Sequence, residues 1–290
     1  MSPLTAIAPA KINLFLHVGP VDDEGYHPLT SLVAFADVGD SISVEPADRL
    51  SLTVDGPFGS GLAADPDNLI LRALQALGEA TGIGQPRLHV YLDKRLPIAA
   101  GLGGGSSDAG AALKLARDLL RLDLDDAALG EIAKVVGADG PMCLHARTAW
   151  AEGRGDVLTF EPRLPPLHAM LVNPGVPSPT GAVYRAYDAA PRPLQSRPAP
   201  PVEWSAAGVI DWLAEQRNDL QAPAIALQPA IGAAVQAVAA LPDARLARMS
   251  GSGATVFALF DTREAAEAAA RQLASKQPDW WIMPTTLAAP

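Results

Sequence analysis

The sequence predicts two domains that mix strands with helices, and three observations carry the prediction. Its 290 residues, 49% of them apolar, are enough to fill two cores. A strand, a glycine-rich loop and a helix follow one another between residues 88 and 120. Further strand and helix patterns lie on both sides of a polar break at residues 153–156, where the boundary is expected, giving domains 1–155 and 156–290.

Charge and cysteine content narrow the class. With 22 basic and 32 acidic residues the net charge is -10, which opposes general affinity for nucleic acid or an anionic membrane. A polyanionic substrate must then be held by local donors. Cys143 is the single cysteine, so neither an intrachain disulfide nor a thiolate metal cluster is expected, and a reducing, cytoplasmic setting fits. No basic region precedes an apolar run at the start of the chain, and the apolar stretch 223–241 is interrupted by Gln228, Pro229 and Gln236. Neither a signal peptide nor a membrane span is expected.

In chain order, Ile7 to Val18 reads as a strand. Ile12, Leu14, Leu16 and Val18 alternate with Lys11, Asn13, Phe15 and His17, so Lys11 and Asn13 share one face. Asp22 to Leu29 is a turn around Gly25 carrying Tyr26 and His27, whose rings can stack on a flat ligand and whose polar atoms can bond its edge. Short strands follow at Ser41–Glu45 and Ser51–Asp55, then a loop from Gly56 to Ala64. Asp67 is expected to cap a helix from Asn68 to Gly82, with Leu69, Ala73, Leu74, Leu77 and Ala80 on its buried face.

Leu88, Val90 and Leu92 then alternate with His89, Tyr91 and Asp93, the period of a half-buried strand. Lys94 and Arg95 lead into Pro97, Ile98, Ala99, Ala100, Gly101, Leu102, Gly103, Gly104, Gly105, Ser106 and Ser107. Four glycines in five positions let backbone N–H groups approach a ligand closely. Ala109, Ala112, Leu113, Ala116, Leu119 and Leu120 recur at helical spacing, with Ser106, Ser107 and Asp108 as candidate caps. A glycine loop running into a helix N-terminus suits an anion such as a polyphosphate. The chain has no Gly-Lys dipeptide, and neither Gly101 nor Gly103 opens a GxGxxG, so the two commonest phosphate loops are excluded.

A helix from Ala127 to Val136 should end at Gly137, followed by a tight turn in which Gly140 and Pro141 frame Asp139. Thr148–Glu152 and Val157–Phe160 read as paired strands, and Ala169–Val172 as another. Residues 173–180 lead to Tyr184, and Arg192–Pro201 is an extended proline-rich loop. Helices are expected around 206–216, 220–227 and 230–241. A second glycine-serine loop, Ser250–Gly253, precedes an apolar strand at 255–260 and a helix at 263–274.

The pattern P-x-x-x-G-L-G-G-G-S-S-D resembles the ATP-phosphate loop of the GHMP family of small-molecule kinases. PAKINLFLHV (residues 9–18) is similar to that family's first motif and MSGSGATVF (249–257) to its third, so the resemblance spans nearly the whole chain. It implies an α+β, two-domain GHMP kinase fold: an N-terminal ribosomal protein S5 domain 2-like domain and a C-terminal ferredoxin-like domain. Within the family, DEGYHPL, DNLILRAL, GADGP, NPGVPSPTGAVY and RNDL are most similar to members that phosphorylate the 2-hydroxyl of 4-diphosphocytidyl-2-C-methyl-D-erythritol.

That likeness implies ATP and magnesium, the latter arriving with the nucleotide, and implies roles for individual residues. Lys11 and Asp139 match the catalytic pair and Asn13 a residue beside the methylerythritol. Tyr26, His27 and Tyr184 match a cytidine pocket, residues 97–107 the phosphate loop, and Asn68 and Lys94 the adenosine side. Ala99 and Ala100 depart from glycine, Gly140 from a bulkier apolar residue, and Tyr184 from a phenylalanine found in some relatives. The alternatives are a kinase of the homoserine or mevalonate type, which has no use for a cytidine pocket, and a catalytically silent nucleotide sensor. An RNA-binding role is opposed by the charge.

Overall fold

The computed structural model describes residues 3–60, 62 and 67–288. The chain forms two compact units, each assembled from separate stretches of sequence. The first takes the chain up to Ala10 together with Val38–Ile98 and Gly103–Ala146. The second takes Lys11–Asp37, Ala99–Leu102 and the chain from Arg147 onward. Two long strands, β1 (Leu4–Val18) and β2 (Leu29–Pro46), contribute residues to both.

In the first unit the later half of β2 pairs antiparallel with β4 (Leu88–Asp93), from Ser41↔Asp93 to Pro46↔Leu88. β3 (Ser51–Asp55) runs parallel to β4 on its other edge. The alternation in β4 is as the sequence predicts: Leu88, Val90 and Leu92 are fully buried and Tyr91 faces out. Their core partners come from α1 (Leu69–Thr81), α2 (Gly104–Leu120), α3 (Asp126–Ala133) and α4 (Asp139–His145), among them Leu74, Leu77, Leu113 and Leu129.

Three expectations about helix ends are corrected. The cap of α1 is Asn68, whose Oδ1 accepts the Ile70 N–H at 2.9 Å, and Asp67 stands one residue too early. Gly82 ends that helix with φ 71°, as expected. Helix α2 starts at Gly104 behind Gly103 (φ 61°) with no side-chain cap, so Ser106, Ser107 and Asp108 lie inside the helix. Asp139 does not sit in a turn before a strand but opens α4, with Pro141 at the third helical position, where a missing N–H costs nothing. A seven-residue helix with glycine and proline in its first turn has the composition of a turn.

In the second unit the first half of β2 pairs antiparallel with β5 (Ala149–Gly153), which pairs with β6 (Val157–Phe160). A second antiparallel run has the order β10-β7-β9-β8, comprising β7 (Leu167–Asn173), β8 (Leu246–Met249), β9 (Val256–Phe260) and β10 (Trp281–Leu287). Helices α5 (Thr180–Tyr187), α6 (Ala206–Ala214), α7 (Gln221–Leu227), α8 (Pro229–Ala239) and α9 (Arg263–Lys276) complete it. Its core joins Leu16 and Val18 of β1 with Met170, Val172, Ile231, Val256 and Phe260.

The alternating pattern of β1 does not mark a solvent face. Lys11 through Val18 are all buried: Leu16 and Val18 enter the core, while Phe15 on the opposite face packs edge-on against Trp150 and Trp212, with ring centroids at 6.1 and 5.7 Å. Strand β10, helix α5 and the first half of β2 have no counterpart among the predicted elements. β10 carries Pro284, paired with Met170 of β7, while among the described residues β2 meets β10 only at Leu287↔Ala36; a proline inside a run argues against a strand when read from sequence. Of the loop expected at 56–64, residues 61, 63 and 64 lie outside the described residues. Among the described residues no helix is long and apolar enough to cross a membrane.

Candidate active site

Three sequence motifs meet in the second unit. Lys11, on β1, donates its backbone N–H to Leu102 O at 2.8 Å, which joins the first motif to the middle of the glycine-rich loop. Two residues on, the Asn13 N–H donates to Ser250 Oγ at 3.1 Å, and that hydroxyl donates to Gly101 O at 3.0 Å. Thr255 N–H reaches Ala100 O at 3.1 Å. The second glycine-serine loop thus ties the other two together.

Glycine is required where these segments cross. Gly101 takes φ 73°, and a Cβ there would run into the Ser250 carbonyl; Gly251 takes φ 56° with Asn13 Oδ1 3.3 Å from its Cβ position. Ala99, which replaces a glycine of the family pattern, itself adopts φ 51°, a left-handed conformation that costs an alanine about 1 kcal/mol. Lys11 and Asn13 are each 6% exposed, and Asn13 Nδ2 donates to Ser31 Oγ at 2.9 Å.

Asn218 and Ser250 lie in segments matched to the family, RNDL and the second glycine-serine loop, but neither is given a role of its own by the sequence. Asn218 Nδ2 donates to both Met249 O and Gly251 O at 2.8 Å, while its Oδ1 accepts the Leu220 N–H. The only trace of it in the sequence is the RNDL segment, and nothing local shows that it reaches a loop more than thirty residues away. Arg248 is likewise buried, with its guanidinium on Leu14 O, Leu213 O and Gln216 O; burial lowers its pKa to about 10.

The aromatic residues also belong to the second unit. His27 and Tyr184, the latter on α5, stand with ring centroids 4.9 Å apart and planes inclined by 37°. His27 Nδ1 lies 3.0 Å from Gly19 O and its Nε2 lies 3.3 Å from Asp188 Oδ1. The histidine edge is therefore held by the protein, and its face is what it shares with Tyr184. Tyr26 is half exposed, and the Arg154 guanidinium sits 3.9 Å from its ring centroid. The pairing the structure brings together is His27 with Tyr184; Tyr26 packs under Arg154.

In the first unit, the starts of α1 and α2 adjoin: a Cβ on Gly105 would stand 3.1 Å from Leu69 Cδ1, beside the Asn68 cap. Helix α4 packs so closely on α2 that a Cβ on Gly110 would be 2.8 Å from Leu144 Cα, and Cys143 Sγ faces Gly103 O at 3.8 Å. Half-buried Asp139 is the first residue of that helix. Lys94, 2% exposed, lies between the carboxylates of Asp40 and Asp108. Among the described residues no group of three or more His, Cys, Asp or Glu side chains is placed to hold a metal ion.

Residues 68–147 match the family described as GHMP kinases N terminal domain, and residues 206–279 match GHMP kinases C terminal. A 4-diphosphocytidyl-2-C-methyl-D-erythritol kinase of Caulobacter vibrioides (strain NA1000 / CB15N) is 54% identical over 282 residues, 96% of this chain and 97% of that one. The protein of that name from Dinoroseobacter shibae is 46% identical over 98% of this chain and 95% of its own. A crystal structure of 4-(cytidine 5'-diphospho)-2C-methyl-D-erythritol kinase superposes with a TM-score of 0.80 at 34% identity, covering 99% of this chain and 100% of that one. Homoserine kinase from Cytophaga hutchinsonii, at 16% identity and a TM-score of 0.70, shares the fold. With both family halves in order and near full-length identity of this degree, the chain belongs to the GHMP kinases, in their 4-diphosphocytidyl-2-C-methyl-D-erythritol kinase branch.

Proposed function

We propose that this chain transfers the γ-phosphoryl group of ATP to the 2-hydroxyl of 4-diphosphocytidyl-2-C-methyl-D-erythritol, a step of the non-mevalonate route to isoprenoid precursors. The observation that carries the choice of acceptor is 54% identity over 96% of the chain with a relative so named. The reaction type is supported by the joining of three motif segments around Lys11 and Asn13.

Phosphoryl transfer through a loose transition state asks for alignment of the oxygens and stabilisation of spread negative charge. Residues Pro97 to Ser107 bind the triphosphate. An α2 start without a side-chain cap leaves first-turn N–H groups available for phosphate oxygens. Lys11 stabilises charge on the transferred group, and Asp139 orients the acceptor hydroxyl and takes its proton. Asn13 lies beside the methylerythritol, Tyr184 and His27 present ring faces to the cytosine with Tyr26 at the margin, and Asn68 borders the adenosine. Ser107 Oγ, 1% exposed and without a hydrogen-bond partner, is a hydroxyl that would hold a hard cation such as magnesium brought with the nucleotide, which would neutralise part of the triphosphate charge. We place the reaction in the cytoplasm, in keeping with a single buried cysteine.

The test is ADP release by the purified chain with Mg-ATP and each of four acceptors: 4-diphosphocytidyl-2-C-methyl-D-erythritol, 2-C-methyl-D-erythritol 4-phosphate, homoserine and mevalonate. Release that depends on the cytidylated compound alone is expected. Turnover of homoserine or mevalonate would overturn the acceptor assignment, and silence with every acceptor despite ATP binding would favour a sensor.

A further inference from the structure

Three ionisable side chains buried in the first unit take no part in the mechanism above. Asp40 on β2, Lys94 just beyond β4 and Asp108 on α2 are 0%, 2% and 2% exposed. Lys94 Nζ donates to Asp40 Oδ2 at 2.5 Å and to Asp108 Oδ2 at 2.7 Å. Asp40 Oδ1 in turn accepts the backbone N–H groups of Arg95 and Leu96 at 2.6 and 2.8 Å. A Cβ on Gly104 would stand 3.1 Å from Lys94 Nζ, so the first residue of α2 lies against the ammonium.

Stability alone is a poor reason for this arrangement. Each buried ion costs several kcal/mol of desolvation, and apolar residues of the same volume often do as well. A cation at a helix N-terminus also opposes the macrodipole.

What the three residues do accomplish is geometric. Asp40 grips the chain at 95–96, immediately before Pro97, and Asp108 stands in the first turns of α2, three residues after the last glycine of the loop; Lys94 links the two carboxylates. Charge-assisted hydrogen bonds of this length are directional and stiff. The two ends of the glycine-rich loop are therefore pinned to one another.

We propose that Asp40, Lys94 and Asp108 form a buried clamp that closes the ends of the glycine-rich loop and positions the first turn of α2 for the triphosphate, with Lys94 a positioning residue instead of an adenosine contact. The inference rests on the reading of that loop as the ATP-phosphate site.

The test compares the wild-type chain with Asp108→Leu and Asp108→Asn, measuring calorimetric affinity for Mg-ATP and for magnesium tripolyphosphate, which has no adenosine, together with steady-state kinetics. Asp108→Leu is expected to weaken both ligands alike, by about tenfold or more, and to raise KM for ATP while leaving KM for the cytidylated acceptor unchanged. Asp108→Asn, whose amide oxygen can accept the same bond, is expected to keep both affinities within about twofold. Should Asp108→Leu fail to fold, the shorter Asp108→Ala, which keeps the Lys94–Asp40 pair, reads the same quantities. Unchanged affinity for both ligands overturns the clamp, as does loss of ATP affinity with tripolyphosphate untouched, which would make Lys94 an adenosine contact. A wild-type chain that binds neither ligand overturns the phosphate-loop reading itself, and the clamp with it.

Discussion

The Ser250 hydroxyl accepts the backbone N–H of Asn13 across 237 residues of sequence, at 3.1 Å, while donating to Gly101 O at 3.0 Å. One side chain thus joins the first strand, the glycine-rich loop and the second glycine-serine loop. Ser250→Ala removes both bonds and leaves a buried N–H and a buried carbonyl without that partner. The expected loss is about 1–3 kcal/mol of stability and a lower kcat/KM for both substrates. Thermal unfolding and initial rates check this, and an unchanged melting temperature would show that the loops hold together without the hydroxyl.

Asp139 opens α4 and is proposed to orient the acceptor hydroxyl and take its proton. Asp139→Asn keeps the shape but cannot accept a proton, so kcat should fall about 10²- to 10⁴-fold with KM for both substrates little altered. Near-normal turnover would remove Asp139 from the chemistry.

Tyr184 shares its ring face with His27. Tyr184→Ala should raise KM for the cytidylated acceptor about tenfold, the worth of one aromatic contact, with KM for ATP unmoved. Equal effects on the two substrates would point to general disorder of α5 instead of a base pocket.

His17, 2% exposed, has neither ring nitrogen hydrogen-bonded. Burial first, then Arg217, with Arg248 and Arg192 adding and Asp219 opposing, lowers its pKa to about 4. An unfolded histidine titrates near 6.5, so as pH falls through that value the unfolded chain takes up a proton that the folded chain refuses until about pH 4. Stability should therefore drop across this window, by up to about 3 kcal/mol from this group. His17→Phe has no proton to take up, and its denaturant-measured stability should fall less steeply between pH 6.5 and 4 than that of the wild-type chain. Parallel profiles would exclude His17 as the cause.

The amino-acid sequence by itself determined the strand from Leu88 to Asp93, the glycine-rich loop and the helix that follows, because each depends on side-chain period and backbone freedom within a few residues. It also determined the paired strands around 153–156 and the family, since the motifs are contiguous in the chain. The tertiary structure alone decided what depends on distant partners. Strand β10 is stable despite Pro284 because β7 pairs along its whole length. Gly104 opens α2 where hydroxyl caps stood ready, since no side chain caps the first-turn N–H groups and Gly103 supplies the left-handed turn. Lys94 matches the adenosine side by resemblance alone, and only the arrival of Asp40 from β2 and Asp108 from α2 makes it the centre of a buried ion cluster. A charge in water and a charge between two buried carboxylates look alike in sequence; they differ by the desolvation that folding imposes.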